Sequence, residues 1–370
     1  MKKISVASPN LNGNEKKYVD ECMDTTWISS GGEYIKKFEA AFAEFCETQY
    51  AASCCNGTVA LHLALMALGI GTDDEVIMPV ITYIATANAV KYVGAKPVFV
   101  DVDKDGWNID VNKIEEKITE KTKAIIVVHL YGNPVDMDEV MRIAKKHNLY
   151  VVEDAAEAHG ALYKGKKVGS IGDISTFSFF GNKVITTGEG GMVVTQNEEL
   201  DRKMRLLKGQ GVDPHKRYWH LAIGYNYRMT NIEAAIGLAQ LEKVDEHIAN
   251  RIKVRDKYYN ILKEYRDYIE FQQTTEESKS INWMTSITFT PKVTIDRDTI
   301  CQKLAEQGIE TRPVFYLVNA MPPYKDDECF PVAEYISARG INLPTHDLLT
   351  DEDIQYICDC LLNIIGLKEK

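Results

Sequence analysis

The sequence has no excess of positive charge, no long apolar run and no C-x-x-C or H-x-x-x-H pair. Each absence closes a class of function. Acidic residues outnumber Lys and Arg, 54 to 43, and the net charge is −11 over 370 residues. That balance excludes a broad nucleic-acid surface, which needs a basic face. It leaves room for an anionic small molecule held by a few local cations and backbone amides. No run approaches the roughly 18 apolar residues of a membrane-spanning helix. One long uncharged stretch, VIMPVITYIATANAV at 76–90, contains Pro79, threonines and Asn88. It reads as a buried strand, a loop and a helix start. The opening MKKISVASPNLNGNEKK lacks an apolar h-region, so a cytoplasmic protein without a secretory signal is expected.

Eight cysteines occur, at 22, 46, 54, 55, 301, 329, 358 and 360, and none forms a C-x-x-C pair. They read as buried free thiols. The eight histidines show no H-x-x-x-H spacing, so no metal site is expected. Two nucleotide motifs also fail. GALYKGKK at 160–167 matches G-x-x-x-x-G-K, but Lys167 replaces the magnesium-binding Ser or Thr and VGSIGDIS beyond it is not helical. No G-x-G-x-x-G joins a first strand to a first helix, which disfavours a nicotinamide enzyme.

What is present is an alternation. Apolar strands (YAASCC, EVIMP, KPVFVDV, KAIIVVHLYG, LYVVEDAA) are separated by helical stretches such as GTVALHLALMALG and MDEVMRIAKKHN. Strands without polar alternation, separated by helices, predict a doubly wound α/β domain whose sheet is covered on both faces. From Asn231 an uninterrupted helical pattern runs to Tyr265 and looks like a connector. The strand NWMTSITFT and the helices RDTICQKLAEQG and DEDIQYICDCLLNIIG suit a smaller α+β domain. The division expected is 1–248 and 249–370.

Within this frame, TFSFFGNKVITTGEGGMVVT at 176–195 places one lysine, Lys183, among aromatics and glycines. A lysine can snorkel its amine into water. In a closed pocket, desolvation instead lowers its pKa and makes it a nucleophile. SCCNGTVALHLAL ends a strand, turns at Asn56-Gly57-Thr58 and opens a helix, whose N–H groups suit a phosphate; an ordinary helix cap is the alternative. VVEDAAEAHG places Glu153 and Asp154 at a strand's carboxyl end, where ligands of open α/β sheets bind. Asp154 there could hold a protonated ring nitrogen or cap a helix. With Tyr83 as an aromatic following a strand, this ordered set fits pyridoxal 5′-phosphate (PLP).

On these residues, together with GYNYRMTNIEAAIGLAQLE at 224–242 and RGINLP at 339–344, the chain resembles the nucleotide-sugar aminotransferases. The resemblance implies the aspartate-aminotransferase type of PLP-dependent fold, a large domain with a mixed, mostly parallel sheet plus a smaller C-terminal domain. It implies that Lys183 bonds to the cofactor aldehyde and that Asp154 pairs with the pyridine nitrogen. Glu157 then lies near the phenolic oxygen, Tyr83 stacks on the ring, and Gly57, Thr58 and Ser178 hold the phosphate. Asn226 reaches the phosphate from the partner of a homodimer, with a tetramer left open. Tyr218, His220 and Arg312 are the substrate-side candidates, Tyr218 and His220 from the narrower match KGQGVDPHKRYWH. The implied reaction passes the amino group of L-glutamate to C-4 of GDP-4-keto-6-deoxy-D-mannose, for a bacterial surface polysaccharide (O-antigen). A UDP- or dTDP-linked keto-sugar, or a PLP-binding regulator without turnover, are the alternatives. One departure stands out: Leu317-Val318-Asn319 occupies a position where relatives carry proline-valine-histidine.

Overall fold

Apolar runs of five to seven residues build the central sheet. The computed structural model describes residues 3–368. The strands are β1 (Tyr50–Cys54), β2 (Glu75–Pro79), β3 (Lys96–Val100), β4 (Thr122–Val128) and β5 (Tyr150–Asp154). A small hairpin, β6 (Leu162–Tyr163) and β7 (Lys166–Lys167), precedes β8 (Ile174–Ser178) and β9 (Gly191–Thr195). The seven-stranded order is β1-β9-β8-β5-β4-β2-β3. Only β9 runs against its neighbours β1 and β8; the remaining pairings are parallel. The sheet is therefore mostly parallel, as the strand composition predicts, and mixed, as the resemblance implies. GALYKGKK is the β6–β7 hairpin, turning through Lys164 and Gly165 at positive φ, which disposes of the P-loop.

Helices cover the sheet. Glu33–Phe45 and Gly57–Ala67 carry long buried faces, including Phe38, Phe42, Leu61, Leu63 and Leu65. Two expectations change. The run KAIIVVHLYG leaves the sheet after Val128, because His129 turns inward: its Nε2 bonds Glu153 at 3.0 Å and its Nδ1 accepts from Val135 N at 3.1 Å. The helical pattern from Asn231 is two helices, Asn231–Leu241 and Val244–Leu262, broken at Lys243, which leaves helical geometry at φ −117° and ψ 10°. The first is buried on several sides, with Gly237 pressed against Phe38. The second presents a single face, and changing the buried face requires the bend.

The second of these helices spans two cores. Val244 packs with the large sheet, whereas Val254, Tyr258 and Leu262 belong to a second cluster with Ile287, Phe289 and Ile341. That cluster lies on a sheet of β10 (Ile269–Phe271), β12 (Thr285–Phe289), β14 (Gly340–Leu343) and β13 (Arg312–Pro313); β11 (Ser278–Lys279) pairs instead with β6. Ile4 also packs in the second cluster and bridges to Ile309.

Candidate active site

Six short segments meet beyond the carboxyl ends of the sheet strands, where the loops of an open α/β sheet converge. β1 leads to Asn56, Gly57 and Thr58; β2 to Tyr83; β4 to Tyr131; β5 to Asp154 and Glu157; β8 to Ser178 and Lys183. The sixth segment is Trp283 and Met284, ahead of β12.

Lys183 is enclosed. Its backbone is held by a turn to the Phe180 carbonyl (2.9 Å), and the preceding Asn182 carbonyl accepts from Trp283 Nε1 at 2.7 Å. Its Nζ lies 4.0 Å from the centroid of the Trp283 ring and 3.7 Å from Glu157 Oε1. The side chain is 12 % exposed, so it does not snorkel. Burial pulls its pKa below the ordinary lysine value, opposed by the charges of Glu157 and Asp154.

Strand alternation sends the two acids of β5 to opposite faces. Glu153 is consumed structurally: it accepts from the amides of Gly169, Ile171 and Gly172, from Ser175 Oγ and from His129 Nε2. Asp154 faces the site. Its Oδ2 accepts from Thr86 Oγ1 at 2.7 Å and its Oδ1 from Ala156 N at 3.2 Å. No helix begins there, so Asp154 is not a helix cap. Burial pushes its pKa up, against the Thr86 hydrogen bond; a cation beside it would compensate that cost. Glu157 is also buried, which lifts it to about 7. Its Oε2 accepts from Tyr131 N at 2.8 Å. Tyr131 sits at φ 56°, a left-handed geometry uncommon for a non-glycine residue and concentrated at functional sites.

The turn at 56–58 forms a cradle. Asn56 Oδ1 caps the helix by accepting from Val59 N at 3.0 Å, and the first helical N–H groups, Gly57 and Thr58, have no intrahelical acceptors. A Cβ on Gly57 would lie 2.7 Å from Ser178 Cβ and 3.1 Å from its Oγ, so only glycine brings these amides beside the Ser178 hydroxyl. The later glycines have two different uses. Gly188 turns at φ 85°, while a Cβ on Gly191 would lie 2.4 Å from the Asn56 carbonyl oxygen. Gly191 thus lets β9 press against the cradle. An anion cradle, a buried acid seeking a cation and an enclosed amine fit the phosphate, ring nitrogen and aldehyde of PLP.

Next to Lys183 opens a cavity of about 310 Å³ lined by Tyr83, Tyr131, Trp283, Arg312, Phe315 and Tyr316, among others. Tyr83 is half exposed and its ring centroid lies 5.8 Å from that of Phe315. Tyr218 and His220 are elsewhere, on an exposed arm. Asn226 lies at the root of that arm, its Oδ1 accepting from Arg228. Trp283, Tyr131 and Thr86 are site residues that the sequence did not single out. Tyr131 follows a strand end and had that signal; Trp283 and Thr86 had none. The unusual Asn319 is packed below a second cavity, its Nδ2 bonded to Asp326 Oδ1 and the Glu328 carbonyl at 2.9 Å each.

Comparison with known proteins agrees with this geometry. The sequence model of the DegT/DnrJ/EryC1/StrS aminotransferase family matches residues 9–362. GDP-perosamine synthase of Escherichia coli O157:H7 is 53 % identical over 362 residues, covering 98 % of each chain. GDP-perosamine synthase of Caulobacter vibrioides is 52 % identical over 367 residues, again with 98 % of each chain covered. The structure of Spr1654 from Streptococcus pneumoniae in its PLP form aligns with a TM-score of 0.93 at 29 % identity, covering 98 % of this chain and 99 % of that one.

Proposed function

This chain belongs to the DegT/DnrJ/EryC1/StrS aminotransferase family, it is a PLP-dependent aminotransferase, and on that premise we propose that it moves the amino group of L-glutamate to C-4 of GDP-4-keto-6-deoxy-D-mannose. The product is GDP-perosamine, destined for a bacterial surface polysaccharide such as O-antigen. Identity of 52 % and 53 % to two GDP-perosamine synthases, over nearly the whole of each chain, supports this substrate. The observation that carries the chemistry is the enclosed Nζ of Lys183, 3.7 Å from Glu157 and facing Trp283.

Bound in this cleft, PLP supplies an aldehyde that captures amines and a ring that takes up electrons. Lys183 Nζ is the amine that would hold that aldehyde. As a free amine, Lys183 would be the base that takes the proton from the glutamate Cα and returns a proton at C-4 of the sugar. Burial lowers its pKa, which favours the neutral amine that both tasks need. Asp154 would hold the proton on the ring nitrogen, and that cation would answer the cost of burying its carboxylate. Glu157 would serve the phenolic oxygen and Tyr83 the face of the ring. Gly57, Thr58 and Ser178 take the phosphate at the helix start. Trp283 and Tyr131 wall the cavity against water. In a homodimer, Asn226 of a second copy completes the phosphate site. Arg312 in the cavity, and Tyr218 and His220 on the arm, face the substrates.

The test is direct. Purified protein with L-glutamate is offered GDP-, UDP- and dTDP-linked 4-keto-6-deoxy sugars, and amino-sugar and 2-oxoglutarate are followed by mass spectrometry. Turnover of the GDP sugar is expected. Turnover confined to a UDP or dTDP sugar overturns the substrate, and no 2-oxoglutarate with any sugar overturns the reaction.

A further inference from the structure

The cavity beside Lys183 has one cation among its lining residues, Arg312, and is otherwise mostly apolar and aromatic. It suits a sugar ring or an amino acid. It offers little to a diphosphate and a purine, which must be held outside it by a chain whose net charge is −11.

The arm at residues 209–228 has what the cavity lacks. Its root is fixed next to the cradle: Lys208 Nζ, buried, donates to Glu39 Oε1 at 2.9 Å and to the Ser53 carbonyl at 2.7 Å, and the Tyr227 carbonyl accepts from Cys55 N at 2.9 Å. Its neck is closed by two glycines. A Cβ on Gly211 would lie 2.0 Å from the Ala222 carbonyl oxygen, and one on Gly224 would lie 2.2 Å from Gly211 N. At the tip, Asp213 spends one carboxylate oxygen on the amides of His215 and Lys216, and its own N–H bonds the Trp219 carbonyl at 2.8 Å. Tyr218 is left-handed at φ 59° and 79 % exposed.

Four consecutive residues at this tip form two cation–aromatic pairs. Lys216 Nζ lies 3.7 Å above the Trp219 ring, and the Arg217 guanidinium lies 4.9 Å above the Tyr218 ring. Both rings and both cations are exposed. An exposed aromatic face stacks a base, and paired cations take phosphate oxygens. We propose that the arm tip is the nucleotide reader: Tyr218 and Trp219 stack the guanine, and Lys216 and Arg217 neutralise the diphosphate. This rests on the reading that the substrate is a nucleotide-linked sugar, and assigns its two halves to separate elements, the sugar to the cavity and the nucleotide to the arm.

Calorimetric binding of GDP and of guanosine to the PLP-loaded protein tests this. Lys216→Ala and Arg217→Ala each weaken GDP by about tenfold and change guanosine by less than about twofold. Tyr218→Ala and Trp219→Ala weaken both ligands by about tenfold or more. Unchanged GDP binding in the cation variants overturns the proposal. Equal loss of GDP and guanosine in those variants also overturns it, because a collapsed arm, unlike a lost charge, treats the two alike. Wild-type protein is titrated in parallel with UDP and dTDP. Preference for one of these revises the base, and the arm variants are then read with that diphosphate and its nucleoside by the same criteria.

Discussion

Lys183 Nζ and Glu157 Oε1 lie 3.7 Å apart, with their side chains 12 % and 6 % exposed. Burial works on them in opposite senses, drawing the amine down and the carboxyl up to about 7. Both shifts favour the neutral form of the group. That is the condition under which a lysine can be nucleophile and base, and it makes Lys183 the first residue to test. Lys183→Ala is expected to lose at least about a thousandfold in kcat, since nucleophile and base vanish together. Wild-type protein loses its visible absorbance on borohydride treatment, with a covalent adduct mapped to Lys183. A variant of near wild-type activity sinks the assignment.

The same pair carries a stability prediction for cofactor-stripped protein. Glu157 has its folded value near 7, above the ordinary 4.5, so the folded chain binds that proton more tightly than the unfolded chain does. The stability it contributes is full below about 4.5 and is lost as pH rises through about 7. Glu157→Gln removes this titration and keeps an acceptor for Tyr131 N. Urea unfolding at pH 5 and pH 8 is expected to show a smaller decline with pH in the variant than in wild type. An equal decline in both counts against a raised Glu157.

Asp154 is predicted to matter for rate more than for folding. In Asp154→Asn the amide oxygen still accepts from Thr86 Oγ1, now 2.7 Å away, and the buried charge is gone. The melting temperature should fall by no more than a few degrees or rise. The rate of the glutamate half-reaction, followed as loss of the PLP absorbance band, should drop by about a hundredfold or more, the scale of losing one preorganised electrostatic partner. A half-reaction within threefold of wild type removes the ring-nitrogen role from Asp154.

The cradle makes a steric prediction. The added methyl of Gly57→Ala would stand 2.7 Å from Ser178 Cβ, so the strand end and the helix start must part. The expected result is at least about tenfold weaker PLP binding by fluorescence titration, with about 1–3 kcal/mol of stability lost to overpacking. Adding Ser178→Gly removes the side-chain atoms that the new methyl would strike. The double variant should recover the stability but not the affinity, because the Ser178 hydroxyl is itself a phosphate donor. Full recovery of both shows that the hydroxyl is dispensable.

Much of this site was legible before the fold was seen, for a physical reason. The strands are buried on both faces and so read as unbroken apolar runs, and the carboxyl ends of β1, β2, β3 and β5 could be located to within a residue or two; β4 ends four residues before its apolar run does, at Val128. Gly57 and Asp154 lie within three residues of such an end, whereas Lys183 stood out as a lone cation among aromatics and glycines and Ser178 through the resemblance. Ser178 ends β8 and Lys183 follows it, and the apolar runs did not mark that strand. Trp283 follows Lys183 by a hundred positions and reaches it only because the segment ahead of β12 packs into the core of the large sheet. Nothing local marks it. The glycines of 188–191 were visible as a group, but their separate uses depend on what approaches them: open space at Gly188 and the Asn56 backbone at Gly191. The break at Lys243 was hidden because no proline or glycine accompanies it.

Sharing of the site between two copies gives the sharpest arithmetic. Asn226 is exposed at the root of the arm, its side chain held by Arg228 rather than turned into a site of its own chain. If each site takes Lys183 from one copy and Asn226 from the other, a heterodimer of Lys183→Ala and Asn226→Ala subunits contains one doubly defective site and one intact site. Its activity should be about half that of wild type per dimer, although both parent homodimers are impaired. If each site is built within one copy, every site in that heterodimer carries one defect and no activity returns. Differentially tagged subunits, purified as verified heterodimers and assayed for 2-oxoglutarate release, decide between the two. Recovery should also depend on PLP concentration as in wild type, since the intact site keeps its full set of phosphate ligands.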